Sequence, residues 1–558
     1  MAVVRRKDET LSMGQTLGAR RSSLALTLPG LKGNHLSFLA VMLLAVFVFV
    51  FVPSQTGDVF LSDDTSMYWA TKQLATTGKL YFKDDLLADD SENLLHVRGF
   101  ITHEGKAVPY NFLGLPILYA GPYRLLGDRA EYTGAFLGVV ALVSLWGILG
   151  ILHPGQQKWT FPLVFLATPL LYYLGRPYMN ILPAVSFFLL GLYFLLRHHK
   201  SPSARWMLAA SFFFALEVFS RYADIVFVTP LVFIVLWQTY GKILSISVAR
   251  DLVAFAATVG VVFGAPLLAV NEMTYGSPFT YGYHLFNEAY YPNRGGSADP
   301  GIAGLLGSLQ VMLMPSGFVP SALLAALWKY LFLLTPALLI LGVIGFLVVL
   351  RKRAVGWKFL LAYAGLFLYV LLYEGSGAVW GTQYRDPTLG HTMVRYWIPA
   401  YLGLLILASY AIADWQQPIH KLVIVALTIS VGFAGLFSGA DSLLAVRDGI
   451  NDGQEFVSAS IMPFTEENAV VYAGRSDKFV ASSRRVAAWF NSAEESFFDA
   501  SLVAASMNKV HAKGVPAYIV HDKDANLKQL ARELAKYGLA LKVVGNGNLS
   551  KIVEQPES

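Results

Sequence analysis

No cysteine occurs among the 558 residues, so disulfides, thiolate metal sites and cysteine nucleophiles are excluded together. Charged side chains are scarce too, at 14% against 55% hydrophobic residues, and a mean hydropathy of +0.50 is too high for a soluble globular chain. The composition describes a polytopic membrane protein. Enzyme signatures are also missing: there is no GxxxxGKS/T loop, no GxGxxG after a strand, no HExxH and no GxSxG. ATP hydrolysis, hydride transfer and zinc proteolysis therefore have no support. Nor does the chain show the paired, interrupted helices of an inverted-repeat transporter.

What is present is a series of apolar runs separated by short, often basic segments. Residues 1–35 carry Arg5, Arg6, Lys7, Arg20, Arg21 and Lys32 without hydrophobic periodicity and read as a basic cytoplasmic arm. The run 36–52 lies late, is long and lacks a persuasive cleavage site, so it reads as a retained span rather than a signal peptide. Further runs centre on 130–152, 159–175, 178–196, 206–220, 223–240, 252–271, 322–350, 359–374, 396–413 and 421–439, giving about eleven spans. With the amino terminus inside, the connections 153–158, 197–205, 241–251, 351–358 and 414–421 face the cytoplasm, and most are basic. The net charge of +6 thus reports topology rather than nucleic-acid binding. The long connections 53–129, 272–321 and 375–395 fall on the opposite side, where chemistry can be housed.

The chain is organised around 57–82, where Asp63 and Asp64 follow the first apolar run. Asp64-Thr65-Ser66 reads as a helix start, Met67, Ala70 and Leu74 recur at helical spacing, and Gly78 ends the element. Capping alone explains two acids there, but acids at a membrane exit are also a site candidate. Beyond them lie an acidic run, DDLLADDSEN at 84–93, and an apolar piece at 103–127 broken by Pro109, Gly114, Pro116, Gly121 and Pro122, which reads as an interfacial or re-entrant helix. Glu272 stands at a span end, where a carboxylate is costly unless solvated or paired. Arg176, Arg221, Arg385 and Arg395 all fall at outer ends, and arginine forks match phosphate oxygens, although snorkelling or local pairing explains any one of them. His284 has no second ligand at metal spacing.

After 440 the pattern changes. Segments 469–474, 516–522 and 539–545 alternate like strands, and 501–514 and 526–538 carry helical periodicity. Residues 441–558 read as an extracytoplasmic α/β domain.

The order of these features resembles the GT-C membrane glycosyltransferases, and most nearly the group holding protein O-mannosyltransferases and lipid A aminoarabinose transferases. The resemblance rests on the retained first span, the acid pair followed by Tyr68, GKAVPYNFLGLPILYAGPYRLLG (105–127), NEMTYGSPFTYGYH (271–284) and HTMVRYWIPA (391–400), and covers most of 36–440. It implies a GT-C-like transmembrane domain over 36–440 with its catalytic loop at 53–129. It also implies transfer of a sugar from a polyprenyl- or dolichyl-phosphate donor to a protein, lipid or glycan acceptor on the external face of the plasma membrane. The resemblance makes Asp64 the first choice for general base, four residues before Tyr68, with Asp63 as runner-up. It assigns Arg395, Arg221 and Lys106 to the donor phosphate and Tyr68, His103, Glu272 and Tyr396 to substrate. A single displacement would invert the anomeric centre. No metal ligands are assigned, and a divalent cation is left open. A transporter or flippase of lipid-linked saccharides is the alternative; it would want charges within spans, where Glu217 and Asp224 flanking Arg221 are the main examples. An oligosaccharyltransferase would be expected to carry a WWDYG-like motif in its soluble domain, and none is present.

Overall fold

The computed structural model describes residues 62–290 apart from 243–244, then 318–352, 392–415, 443–521 apart from 475 and 490–498, and 525–555, with isolated helical residues elsewhere. Among the described residues five helices are long and apolar enough to cross a membrane: Gly114–Leu152, Ile181–Lys200, Tyr222–Tyr240, Ile246–Tyr275 and Val394–Asp414. A bent pair, Pro320–Leu333 with Pro336–Lys352, makes a sixth if counted as one span. Of the runs expected to cross, 36–52, 359–374 and 421–439 lie largely outside the described residues.

Two expected spans differ in form, and proline explains both. Run 159–175 is two seven-residue helices, Thr160–Leu166 and Thr168–Leu174, broken at Ala167. Pro169 lacks an N–H and its ring cannot tolerate the carbonyl four residues back, so the second helix starts afresh with proline in its first turn. Run 322–350 bends by 96° just before Pro336 for the same reason. The piece at 103–127 also differs from expectation, because its helix Gly114–Leu126 is continued through the 3-10 stretch Gly127–Glu131 into Tyr132–Leu152.

The membrane helices share one core in which Ile181–Lys200 packs on both Ala204–Ser220 and Tyr132–Leu152. Pro336–Lys352 lies so close to Ile398–Asp414 that a Cβ on Gly345 would meet the Leu407 carbonyl oxygen at 1.8 Å. Small residues at such crossings let backbones approach where no hydrophobic effect drives association.

The first long connection folds into its own layer. The helix Ser62–Thr77 ends at Gly78, whose φ of +74° suits glycine. A three-stranded antiparallel sheet follows, β1 (Phe82–Lys83), β2 (Phe100–His103) and β3 (Lys106–Pro109), in the order β1-β3-β2. Glu104 and Gly105 turn the β2–β3 hairpin with φ of +49° and +69°, matching the twist of a two-residue hairpin loop.

The carboxy-terminal residues form a five-stranded sheet ordered β5-β4-β6-β8-β7. β4 (Val470–Ala473) and β6 (Ala517–Val520) are buried along their whole length, as central parallel strands are. β5 (Arg485–Ala488) extends the parallel side, while β8 (Leu549–Glu554) joins β6 and β7 (Leu539–Val544) antiparallel. Helix Ala500–Ala512 is capped by Asp499, which accepts from the N–H groups of Ser501 and Leu502.

The acidic run from the first connection clasps this sheet. Leu86 and Leu94 enter its core, and the Ala488 N–H donates to the carbonyls of Leu94 and His96. Asp84 pairs with Arg485 at 2.9 Å, Asp89 with Lys513 at 2.5 Å and Glu92 with Lys509 at 2.8 Å. Asp477, fully buried, accepts from Arg98 Nη2 at 2.7 Å, from its Nε at 3.0 Å and from its backbone N–H at 3.0 Å.

Candidate active site

Asp64 and Tyr68 are one turn apart on the helix Ser62–Thr77, so they share a face. That face meets the hinge that leads out of the broken helix. Arg176 donates to Asp64 Oδ2 from Nε at 3.0 Å and also from Nη2, and its Nη1 donates to the Tyr172 hydroxyl at 2.8 Å. Tyr68 packs edge-on against Tyr178 with ring centres 5.2 Å apart. Asp64 is 4% and Arg176 7% exposed, so the pair is formed almost out of reach of water. Asp64 therefore holds a cation, which simple helix capping does not explain. Asp63 lies in the same helix, and its side chain is outside the described residues.

Three buried arginines gather here. Arg395, on the 3-10 turn Thr392–Trp397, lays its guanidinium over the Tyr396 ring at 5.0 Å and points Nη1 at Met179 Sδ, 3.9 Å away. Arg221 shares the same ring at 5.9 Å and pairs with Asp224 at 3.6 Å. Tyr173 feels the charges of Arg395, Arg176 and Asp64 together. The broken helix thus places Tyr172, Tyr173 and Arg176 between the Asp64 helix and the arginine at the start of a late span.

A second layer fixes these parts. Tyr283 donates to Asn111 Oδ1 at 3.0 Å, and Asn111 Nδ2 donates to Ser66 Oγ at 2.7 Å, two residues from Asp64. The Tyr275 hydroxyl donates to the Pro109 carbonyl at 2.8 Å. Gly114 is in such close contact with the end of Ala204–Ser220 that a Cβ would stand 2.0 Å from the Phe219 carbonyl oxygen, just before Arg221.

No family model and no curated protein sequence matches the chain. Among solved structures it is similar to the oligosaccharyltransferase AglB from Archaeoglobus fulgidus in complex with an inhibitory peptide and a dolichol-phosphate, at 12% identity over 93% of this chain and 74% of that one, with a TM-score of 0.51. The apo form of the Archaeoglobus fulgidus oligosaccharyltransferase is similar at 12% identity over 91% and 73%, with a TM-score of 0.47. The fold is of the GT-C type.

Within this GT-C fold, Asp64, Arg395, Arg221 and Tyr396 come together as described. Other expected site residues lie elsewhere. Lys106 is on β3 with its ammonium 5.0 Å above the Tyr81 ring, and His103 sits opposite it across the hairpin. Glu272 is exposed near the end of Ala265–Tyr275, where its carbonyl accepts from Gly276. The Tyr68 hydroxyl donates to Asp128 at 3.0 Å, joined there by Tyr123 at 2.6 Å. Burial is the main cause that pushes the Tyr68 phenol upward, so it remains a donor. Among the described residues no group of three or more His, Asp or Glu is arranged to hold a metal ion.

Two features had no clear signal in the sequence. One is the Asp64–Arg176 pairing itself, since Arg176 stood only among four arginines at span ends. The other is Lys478 in the short helix Asp477–Val480, which lies within electrostatic reach of both Arg176 and Asp64.

Proposed function

We propose that this protein is a glycosyltransferase that takes a sugar from a polyprenyl- or dolichyl-phosphate donor and passes it to an acceptor hydroxyl or amine. The observation carrying this reading is the buried Asp64–Arg176 pair with Arg395 and Arg221 close by. An acid beside a cluster of guanidinium groups supplies both halves of the reaction: a base for the nucleophile and a counter-charge for a phosphate leaving group.

In the resting state Arg176 spends its charge on Asp64. An incoming lipid phosphate competes for the guanidinium, with Arg395 and Arg221 as its further partners, and frees the carboxylate. Asp64 then accepts the acceptor's proton as the new bond to the anomeric carbon forms. The bond from that carbon to the phosphate oxygen breaks, and its electron pair leaves with the lipid phosphate. One displacement inverts the anomeric centre. Asp63 remains the other candidate for the base, Lys106 a minor further partner for the donor phosphate, and Tyr68, His103, Glu272 and Tyr396 proposals for substrate contacts.

The solved AglB complex contains an inhibitory peptide and a dolichol-phosphate, which supports a lipid-linked donor here. A peptide acceptor is less well supported, because this chain has no WWDYG-like motif. Protein, lipid and glycan acceptors are all retained. The proposed placement is a plasma-membrane protein of about eleven spans, with the basic arm 1–35 cytoplasmic and residues 441–558 on the far side with Asp64.

A flippase is the second reading, favoured by the buried group of Glu217, Arg221 and Asp224. Mass spectrometry of lipid-linked sugars and surface glycans in a deletion strain tests the two. A transferase defect accumulates loaded donor and loses one product, and complementation by Asp64→Asn fails. Full complementation by an Asp63→Asn, Asp64→Asn double variant would overturn the transferase reading.

A further inference from the structure

The carboxy-terminal unit brings one of its own side chains into the electrostatic field of the Asp64–Arg176 pair. Just after β4 the chain makes the short helix Asp477–Val480, and each of its residues is held by a different part of the molecule. Asp477 is clamped by Arg98 of the first connection. Phe479 packs against the membrane core, the core that also contains Met67 and Tyr68 of the Asp64 helix. Val480 is buried in the sheet's own core, and Ala481 touches the core of the first connection. Between these anchors Lys478 places its ammonium 5.1 Å from the Phe479 ring centre, in the field of Arg98, Asp477, Arg176 and Asp64.

We propose that Lys478 is a substrate-binding residue: its ammonium meets the lipid phosphate beside Arg176, so the carboxy-terminal unit completes a subsite that the membrane helices alone leave unfinished. This rests on the glycosyltransferase reading above. Two facts about the anchors support it. A helix of four residues fixed on three sides has little freedom to withdraw its one cation. A lysine set among two arginines and two aspartates has a charge state that depends on what further charge approaches it. Burial and then the Arg98 charge lower Lys478 to about 7, against the opposing pull of Asp477, so an arriving phosphate anion would draw a proton onto the amine and hold it there.

The test uses the full-length protein in detergent, with Lys478→Met and Lys478→Arg variants, and measures binding of dolichyl phosphate against dolichol, which has the same tail without the charge. The expected result is a loss of about tenfold in dolichyl phosphate affinity for Lys478→Met. Lys478→Arg should be close to the parent, and dolichol binding should be equal in all three. A thermal midpoint for Lys478→Met at or above the parent's separates lost recognition from lost folding. Unchanged dolichyl phosphate affinity in Lys478→Met, or equal losses in the Met and Arg variants, would overturn the inference and leave the transferase reading standing. A parent protein that does not distinguish dolichyl phosphate from dolichol would instead count against the glycosyltransferase reading itself.

Discussion

Arg176 reaches back 112 residues to Asp64, with Nε 3.0 Å from the carboxylate. The arginine stands two residues after the helix Thr168–Leu174 ends, and the acid stands in the first turn of Ser62–Thr77, where the positive end of the helix also favours a carboxylate. Two independent features, the arginine and the helix end, thus favour a carboxylate at this position.

Asp64→Asn should lower transfer by about 10²–10⁴-fold, the usual contribution of a positioned base. Losing one member of a buried pair also costs about 3–5 kcal/mol, because the partner is left uncompensated. The double variant Asp64→Asn, Arg176→Gln should regain much of that stability and none of the activity. Thermal unfolding and a transfer assay on the same samples separate the two effects, and a double variant that transfers normally would reduce the pair to a structural role.

For the donor phosphate, the placement of the cations predicts an unequal response. Arg395→Met and Arg221→Met should each weaken lipid-phosphate binding by about tenfold. Lys106→Met, on the hairpin over Tyr81, should change it by less than about twofold. Equilibrium binding with farnesyl phosphate is a sufficient readout.

The clamp between Arg98 and Asp477 should behave as one unit. Asp477→Asn or Arg98→Met alone should destabilise by about 3–5 kcal/mol, and the two together by clearly less than the sum. Proteolysis timed by release of the carboxy-terminal fragment would show the same non-additivity.

Gly114→Ala should disturb the site without touching a polar group. The added methyl meets the backbone at Phe219 and Ser220, with contacts of 2.0 Å and 2.9 Å, and backbone cannot move aside as a flexible side chain can. Destabilisation of about 1–3 kcal/mol is expected, together with weaker phosphate binding as Arg221 is displaced.

Lys478 also gives the protein a distinctive response to pH. Its amine falls from the ordinary 10.5 to about 7 through burial and Arg98, with Arg176 lowering it further and Asp477 and Asp64 opposing. Between those values the unfolded chain carries the proton and the folded chain does not, so stability should rise as pH increases from about 7 to 10. Lys478→Met should remove that slope in thermal midpoints measured across the range.

Much of this was legible in sequence where a repeat period was long enough to read. The Asp64 helix and the strands near 470, 518 and 541 stand where alternation or helical spacing put them, as do helices Ala500–Ala512 and Leu527–Ala535. The two-residue β1 is too short to carry a period, and the four-residue β2 and β5 stand directly beside arginines, glycines or charged turns that mask theirs. The apolar run 159–175 looked continuous because hydropathy is blind to a single proline. Yet the break before Pro169 is what sets Arg176 against Asp64. The acidic run 84–93 has the composition of a solvated loop, and its partners Arg485, Lys509 and Lys513 lie hundreds of positions away, where no local pattern can signal them.

That separation has a consequence for how the protein is made. Arg98 and the aspartate it grips are 379 residues apart, and a ribosome adding roughly 5–20 residues per second takes about 20–75 seconds to cover the gap. For that interval Asp84, Asp89 and Glu92 await Arg485, Lys513 and Lys509, and Leu86 and Leu94 await the sheet core they enter. A chaperone that shields the nascent first connection during this wait, or a pause in translation that lengthens it, would therefore change the yield of folded protein without altering a single contact in the finished molecule.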